Sequence, residues 1–217
     1  MMRPPSAPSD LPATLRIFPL AGAILPPRAL LPLNIFEPRY LAMVRDAMAT
    51  DHLIGMIQPR SEETPESLPQ LYDVGGVGRI TQFSEIGDGR FIITLTGVAR
   101  FRVVEEMPVT TAYRRVKADH RSFAADWGPS APLAAAERAL LESSLRTYLA
   151  RQDLSADWDA VSNSDDENLV NTLSMACPFS ASERQALLEA PTVSERSHAL
   201  MTLMALAGAD GEETMLQ

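Results

Sequence analysis

Lysine is almost absent from this sequence: Lys117 is the only one in 217 residues. A nucleotide-binding phosphate loop ends in Gly-Lys-Ser/Thr, because its ammonium must reach the β- and γ-phosphates. Lys117 stands between Val116 and Ala118 in a β-type run, so these residues contain no such loop. A Ser-Lys protease dyad would need the same residue, whose arginine-rich surroundings read as a surface strand. Cysteine is as scarce. Cys177 alone cannot form an internal disulfide, and nothing argues for an oxidising compartment. It follows an apolar helical segment and precedes Pro178, the setting of a partly buried structural thiol rather than a reactive one. No run approaches the roughly 20 apolar residues that cross a bilayer, and the first residues lack a signal-peptide core. The expectation is a cytoplasmic protein without membrane contact.

Histidines are few and isolated. His52, His120 and His198 lie in no nucleophile-elbow context, and no His/Cys pair has ligand spacing. The run Asp165-Asp166-Glu167 reads as acid favoured by a helix N-terminus rather than as a cation site. Gly75-Gly76-Val77-Gly78 reads as a turn or bulge. The expectation is no catalytic residue, no metal and no cofactor.

What is present is unevenly spread. Residues 1–120 hold 13 basic and 13 acidic side chains, whereas 121–217 hold 6 and 15 and carry the whole net charge of −9. An acidic half repels phosphate backbones and anionic lipids, which argues against general nucleic-acid binding. Prolines 4, 5, 8 and 12 mark residues 1–13 as a disordered tail. From about residue 14 to 127 the chain reads as short strands. Leu15–Leu20 and Leu30–Phe36 are broken by prolines, so these strands should sit at edges or be interrupted; Leu53–Gln58 and Val74–Phe83 follow. Asp88-Gly89 between two β-rich runs predicts a type I′ hairpin. Arg100–Glu105 and Tyr113–Lys117 complete the set. One helix interrupts the strands after Pro38, with Leu41, Val44 and Met48 as its buried stripe.

After Trp127-Gly128-Pro129-Ser130 the period changes to helical. Leu133, Leu140, Leu141, Leu145, Tyr148 and Leu149 form one apolar face. Three capping boxes, Ser164…Glu167, Ser180…Glu183 and Thr192…Glu195, announce further helices. The expected organisation is a strand-rich subdomain over 14–127, a helical bundle over 128–207 and a flexible tail over 208–217.

Leu31-Pro32-Leu33-Asn34-Ile35-Phe36-Glu37-Pro38-Arg39-Tyr40 strongly resembles the signature of the Lon protease N-terminal domain family. Ile17–Leu20, Val77–Ile80, Asp88-Gly89-Arg90 and Gly97–Val103 fit its other strands in order, and Glu183–Glu189 and Arg196 resemble its helical part. The resemblance spans about Leu15 to Leu206. It implies an α+β fold: a PUA-like β-barrel with one inserted helix, followed by a C-terminal α-helical bundle. In full-length relatives this region precedes an ATPase and a Ser-Lys protease, and the sequence given stops at Gln217 before either, so a stand-alone, non-catalytic member is expected.

The signature residues Phe36, Glu37, Pro38, Arg39, Tyr40, Asp88, Gly89, Arg90, Arg100 and Phe101 read as structural. Glu37, Arg39 and Tyr40 are expected to lock helix to barrel by an ion pair and ring packing. The expected partners are unfolded or hydrophobic polypeptide segments, with a protease or chaperone alongside; Met43 and Met56 are candidate client contacts, core packing being their other reading. An exposed barrel surface also suits a homodimer. Two alternatives stand beside this: RNA binding by a strip of Arg100, Arg102, Arg114, Arg115 and Lys117, and a hydrolase with an unrecognised site.

Overall fold

The computed structural model describes residues 4–61 and 68–213. The chain divides into two compact units, 1–129 and 130–217.

The first unit is built on six strands: β1 (Thr14–Pro19), β2 (Leu30–Ile35), β3 (Leu53–Ile57), β4 (Val74–Glu85), β5 (Phe91–Glu106) and β6 (Arg115–Asp119), with helix α1 (Pro38–Met48) between β2 and β3. Their order is β2-β5-β4-β3-β1-β6, and β6 also pairs with β5. The hydrogen-bonded circuit β1-β3-β4-β5-β6 therefore returns to β1, leaving β2 attached outside it. Among the described residues only β1–β3 is parallel, and α1 lies in the crossover that parallel neighbours require. Strand alternation fills the interior: Phe91, Ile93, Leu95 and Phe101 of β5 are fully buried while Ile92 is not.

Glycines 75, 76 and 78 run within β4, beside a register shift at Val77/Gly78, rather than in a turn. Their use is close approach. A Cβ at Gly76 would lie 2.0 Å from the Leu25 carbonyl oxygen, and one at Gly97 2.0 Å from that of Pro26. The segment before β2 thus lies directly on β4 and β5.

Several expectations change. The β4–β5 hairpin is not type I′, since of its Asp-Gly pair only Gly89 has positive φ (+79°). Gly89 N–H donates to Ile86 O and Ile86 N–H to Arg90 O, a three-residue loop closed by a left-handed glycine. On α1 the buried side chains are Tyr40, Met43, Val44 and Ala47; Leu41 and Met48 flank that stripe, half-buried. The proline-rich start is not wholly loose: Pro8–Asp10 is a 3-10 turn and Leu11 joins the core with Leu15, Val77 and Phe101. Residues 1–3 lie outside the described residues.

The second unit holds α2 (Ala135–Arg151), α3 (Trp158–Asn163), α4 (Asp166–Ala176), α5 (Ala181–Glu189) and α6 (Val193–Glu213). Leu141, Leu145 and Tyr148 of α2 are buried, but Leu140 is exposed. Two capping boxes form as expected. Ser180 Oγ accepts from Glu183 N–H while the Glu183 carboxylate accepts from Ser180 N–H, and Thr192 with Glu195 does the same. The third does not: Asp165 caps α4 by accepting from Asn168 N–H, and Ser164 instead closes α3. A carboxylate one residue on sits where the N–H groups point, so the serine is displaced. Helix α6 continues to Glu213 where a tail from 208 was expected; 214–217 lie outside the described residues.

Candidate functional site

Proline shapes the strand that carries the signature. Among the described residues β2 pairs only with β5, in the register Leu30↔Thr96, Pro32↔Thr94 and Asn34↔Ile92. Pro32 has no N–H, so the free edge of β2 lacks a donor at its centre and resists pairing with another strand. The face of the strand is a different matter. Leu30, Pro32 and Asn34 point outward, with Leu30 62% exposed; Phe36, just past the strand, is also 62% exposed, and Ile92 beside Asn34 is 40% exposed. Large apolar side chains at such exposure, grouped on adjacent strands, are the kind of surface that marks an interaction site.

The neighbouring strands hold this face still. Thr94 Oγ1 donates to Gln82 Oε1 at 2.8 Å, and the Thr81 and Thr96 hydroxyls meet at 2.9 Å. These rungs pair the side-chain polar groups of Thr81, Gln82, Thr94 and Thr96 beside the exposed apolar side chains of β2.

Most other signature residues make contacts within the chain. Arg39 Nε donates to Glu37 Oε2 at 2.9 Å, the Arg39 guanidinium lies 4.7 Å over the Tyr40 ring, and Tyr40 packs at 4.1 Å on Phe18 of β1. Pro38 opens α1 in its first turn. Together they fasten α1 to the sheet. At the far end Tyr113 Oη donates to Asp46 Oδ2 at 2.6 Å, and burial, then that carboxylate, hold its proton above the usual phenol range. Arg90 pairs with Asp88 within the hairpin. Phe101 is enclosed in the core.

Arg100 has a partner that sequence reading missed. Its guanidinium and its backbone N–H all reach the Asp126 carboxylate, at 2.7–3.0 Å, with both side chains almost fully buried. The Phe123 ring stacks below Arg100 at 4.7 Å and Arg102 at 5.9 Å. Asp126 lies in the 3-10 segment Arg121–Trp127, 26 residues away, and no spacing rule links such a pair. Strand alternation does bring Arg100 and Arg102 together, but Arg100 is neutralised and Arg114 is tied to Glu106. The basic strip is therefore broken.

Met43 and Met56 are 0% and 1% exposed. They are core, the other reading of these two residues, whereas Leu30, Phe36 and Ile92 are exposed. Cys177 is buried, and burial raises its thiol to about 11, which suppresses the thiolate that reactivity needs. His120 is buried with Nε2 on the Pro12 carbonyl, and His198 lies 3.7 Å from Glu137. Among the described residues no three His, Cys, Asp or Glu side chains gather to hold a metal, and no helix is long and apolar enough to cross a membrane.

Comparison with known proteins supplies the context. The family model described as the ATP-dependent protease La (LON) substrate-binding domain matches residues 14–205. The chain is 26% identical over 194 residues to Lon protease of Flavobacterium johnsoniae, covering 87% of this chain and 23% of the relative. It is 36% identical over 97 residues to Lon protease 2 of Myxococcus xanthus, covering 44% and 12%. The chain thus spans an eighth to a quarter of the length of these relatives. Its fold matches a Lon N-terminal domain protein from Xanthomonas campestris (TM-score 0.60, 24% identity, 87% of this chain and 97% of that one). It also matches the N-terminal domain of the Mycobacterium avium complex Lon protease (TM-score 0.61, 19% identity, 88% and 98%).

Proposed function

The chain belongs to the family of the ATP-dependent protease La (LON) substrate-binding domain, and on that premise we propose that it binds unfolded or hydrophobic polypeptide segments without cutting them. We read the closed strand circuit as a PUA-like barrel whose outer face, on β2 and β5, is the contact surface. The observation that carries this is the group of exposed apolar side chains Leu30 on β2, Phe36 just past it and Ile92 on β5, beside side-chain rungs that Thr94 and Gln82, and Thr81 and Thr96, make with each other. Pro32 directs binding to the face rather than to the strand edge, so side chains and not a backbone ladder would do the recognising. Lon-type proteolysis is the setting the family supports, with the bound segment passed to a protease. RNA binding is the weaker reading, because Arg100 is held by Asp126.

The test is binding of a fluorescently labelled, permanently unfolded polypeptide, followed by anisotropy. Burial of an apolar side chain contributes roughly 1.5–3 kcal/mol, so Leu30→Ser with Phe36→Ser should weaken binding at least tenfold while leaving the circular dichroism spectrum unchanged. Unaltered affinity in that variant would discard this face. Turnover of labelled casein by the pure chain would discard the non-catalytic reading.

A further inference from the structure

A second feature lies beside that face and involves residues outside the family match. A cleft of about 250 Å³ is lined by Trp127, Val98, Gly97, Thr96 and Arg79, and by Pro4 and Pro5 from the chain's own start. That volume falls below the roughly 300–1,000 Å³ of sites that take whole small molecules; it suits one or two side chains of a longer ligand. Its aromatic wall is rigidly placed. Trp127 follows Asp126, whose carboxylate clamps Arg100 and whose carbonyl accepts from Arg28 at 2.7 Å. Part of the indole packs on the core around Leu11. Gly97 cannot carry a side chain into the space, because Pro26 abuts it. The indole Nε1–H is buried and has no acceptor among the described residues, a cost that a carbonyl reaching it would remove.

We propose that the Trp127 cleft recognises proline-containing extended segments, and that Pro4-Pro5 is the chain's own competitor for it. Pro4 and Pro5 already lie against it, in the contact that an incoming segment would take over. A polyproline-type segment comes pre-extended, with carbonyls on its surface and no N–H at its prolines to strand, and aromatic-lined grooves are what such segments dock on. The cleft is continuous with the β2 face, since Thr96 is the register partner of both Leu30 and Arg79. A segment lying over Leu30 therefore reaches Trp127 with its next residues. The tether places Pro4-Pro5 beside the cleft at high effective concentration, so the start of the chain weakens binding in trans. For its ligand class the inference rests on the polypeptide-binding reading.

The probe is the capped peptide Pro-Pro-Ser-Ala-Pro, copying residues 4–8, titrated into the full chain with the two tryptophan indole N–H signals followed by NMR. The Trp127 signal should move and saturate while that of Trp158 stays, and Trp127→Phe, which keeps the ring packing and removes the donor, should weaken binding at least fivefold. The double variant Pro4→Ser, Pro5→Ser should bind the peptide at least fivefold more tightly. A static Trp127 signal at saturating peptide would overturn the proposal, as would equal affinity of the double variant and the parent chain, or equal binding of a peptide with serine at every proline. If unfolded polypeptide still binds through Leu30 and Phe36 while this peptide does not, the cleft is refuted and the β2 face stands.

Discussion

The two units weight local and long-range ties differently. The helical unit starts its helices locally, with caps within three residues of what they cap, as in Ser180 with Glu183 and Asp165 with Asn168, and Arg138 to Asp166 and Arg196 to Asn171 then tie helix to helix. The strand unit is specified at long range. Arg100 waits for Asp126, β1 for β3 and β6, and Gly76 for the Leu25 carbonyl. Charge divides the chain as well: the acidic excess falls within 121–217, while residues 1–120 are balanced.

That contrast can be broken most sharply at Asp126. Asp126→Ala leaves the Arg100 guanidinium buried without its carboxylate and should cost about 3–5 kcal/mol, measured by urea unfolding. It should also disturb Trp127, seen in fluorescence. A loss of under 1 kcal/mol would mean the long-range clamp is dispensable and the contrast overstated.

A smaller effect is expected from a local device. Ser180→Ala removes one half of the α5 capping box and should cost about 1 kcal/mol at neutral pH. Hydrogen bonds from the Ser180 side chain, then its backbone N–H, hold Glu183 below its usual carboxylate range. The contribution is therefore present above the unfolded carboxylate's pKa and is lost as pH falls through the folded one. The gap between wild type and Ser180→Ala should narrow on acidification; a constant gap would remove the carboxylate from the account.

The smallest effect separates two neighbours. Asp165→Ala should cost about 1 kcal/mol, because Asp165 caps α4. Ser164→Ala should stay within about 0.5 kcal/mol. The reverse order would restore the capping box that the sequence suggests and the structure does not form.

Much of the fold was legible, and its failures are instructive. Proline placed β2 at an edge, and Ser180…Glu183 and Thr192…Glu195 announced their helices. The period change near residue 128 separated strands from helices. Ser164 failed because Asp165, a competing acceptor, was next to it. Met43 and Met56 were offered as contacts because methionine suits adaptable surfaces, but an apolar residue carries no mark of which face it will take. Phe36 stood in the signature as a structural residue, and its exposure became visible only in three dimensions.

The sequence by itself determined what this chain lacks and what it resembles. One lysine leaves no phosphate loop, and an ordered set of motifs identifies the family, because both depend on residue type and short spacing. Only the tertiary structure decided which apolar residues face outward, that Arg100 is spoken for by Asp126, and that Trp127 and Pro4-Pro5 share a cleft. Those relations join residues tens of positions apart through strand pairing and buried charge, and neither leaves a local pattern in the chain.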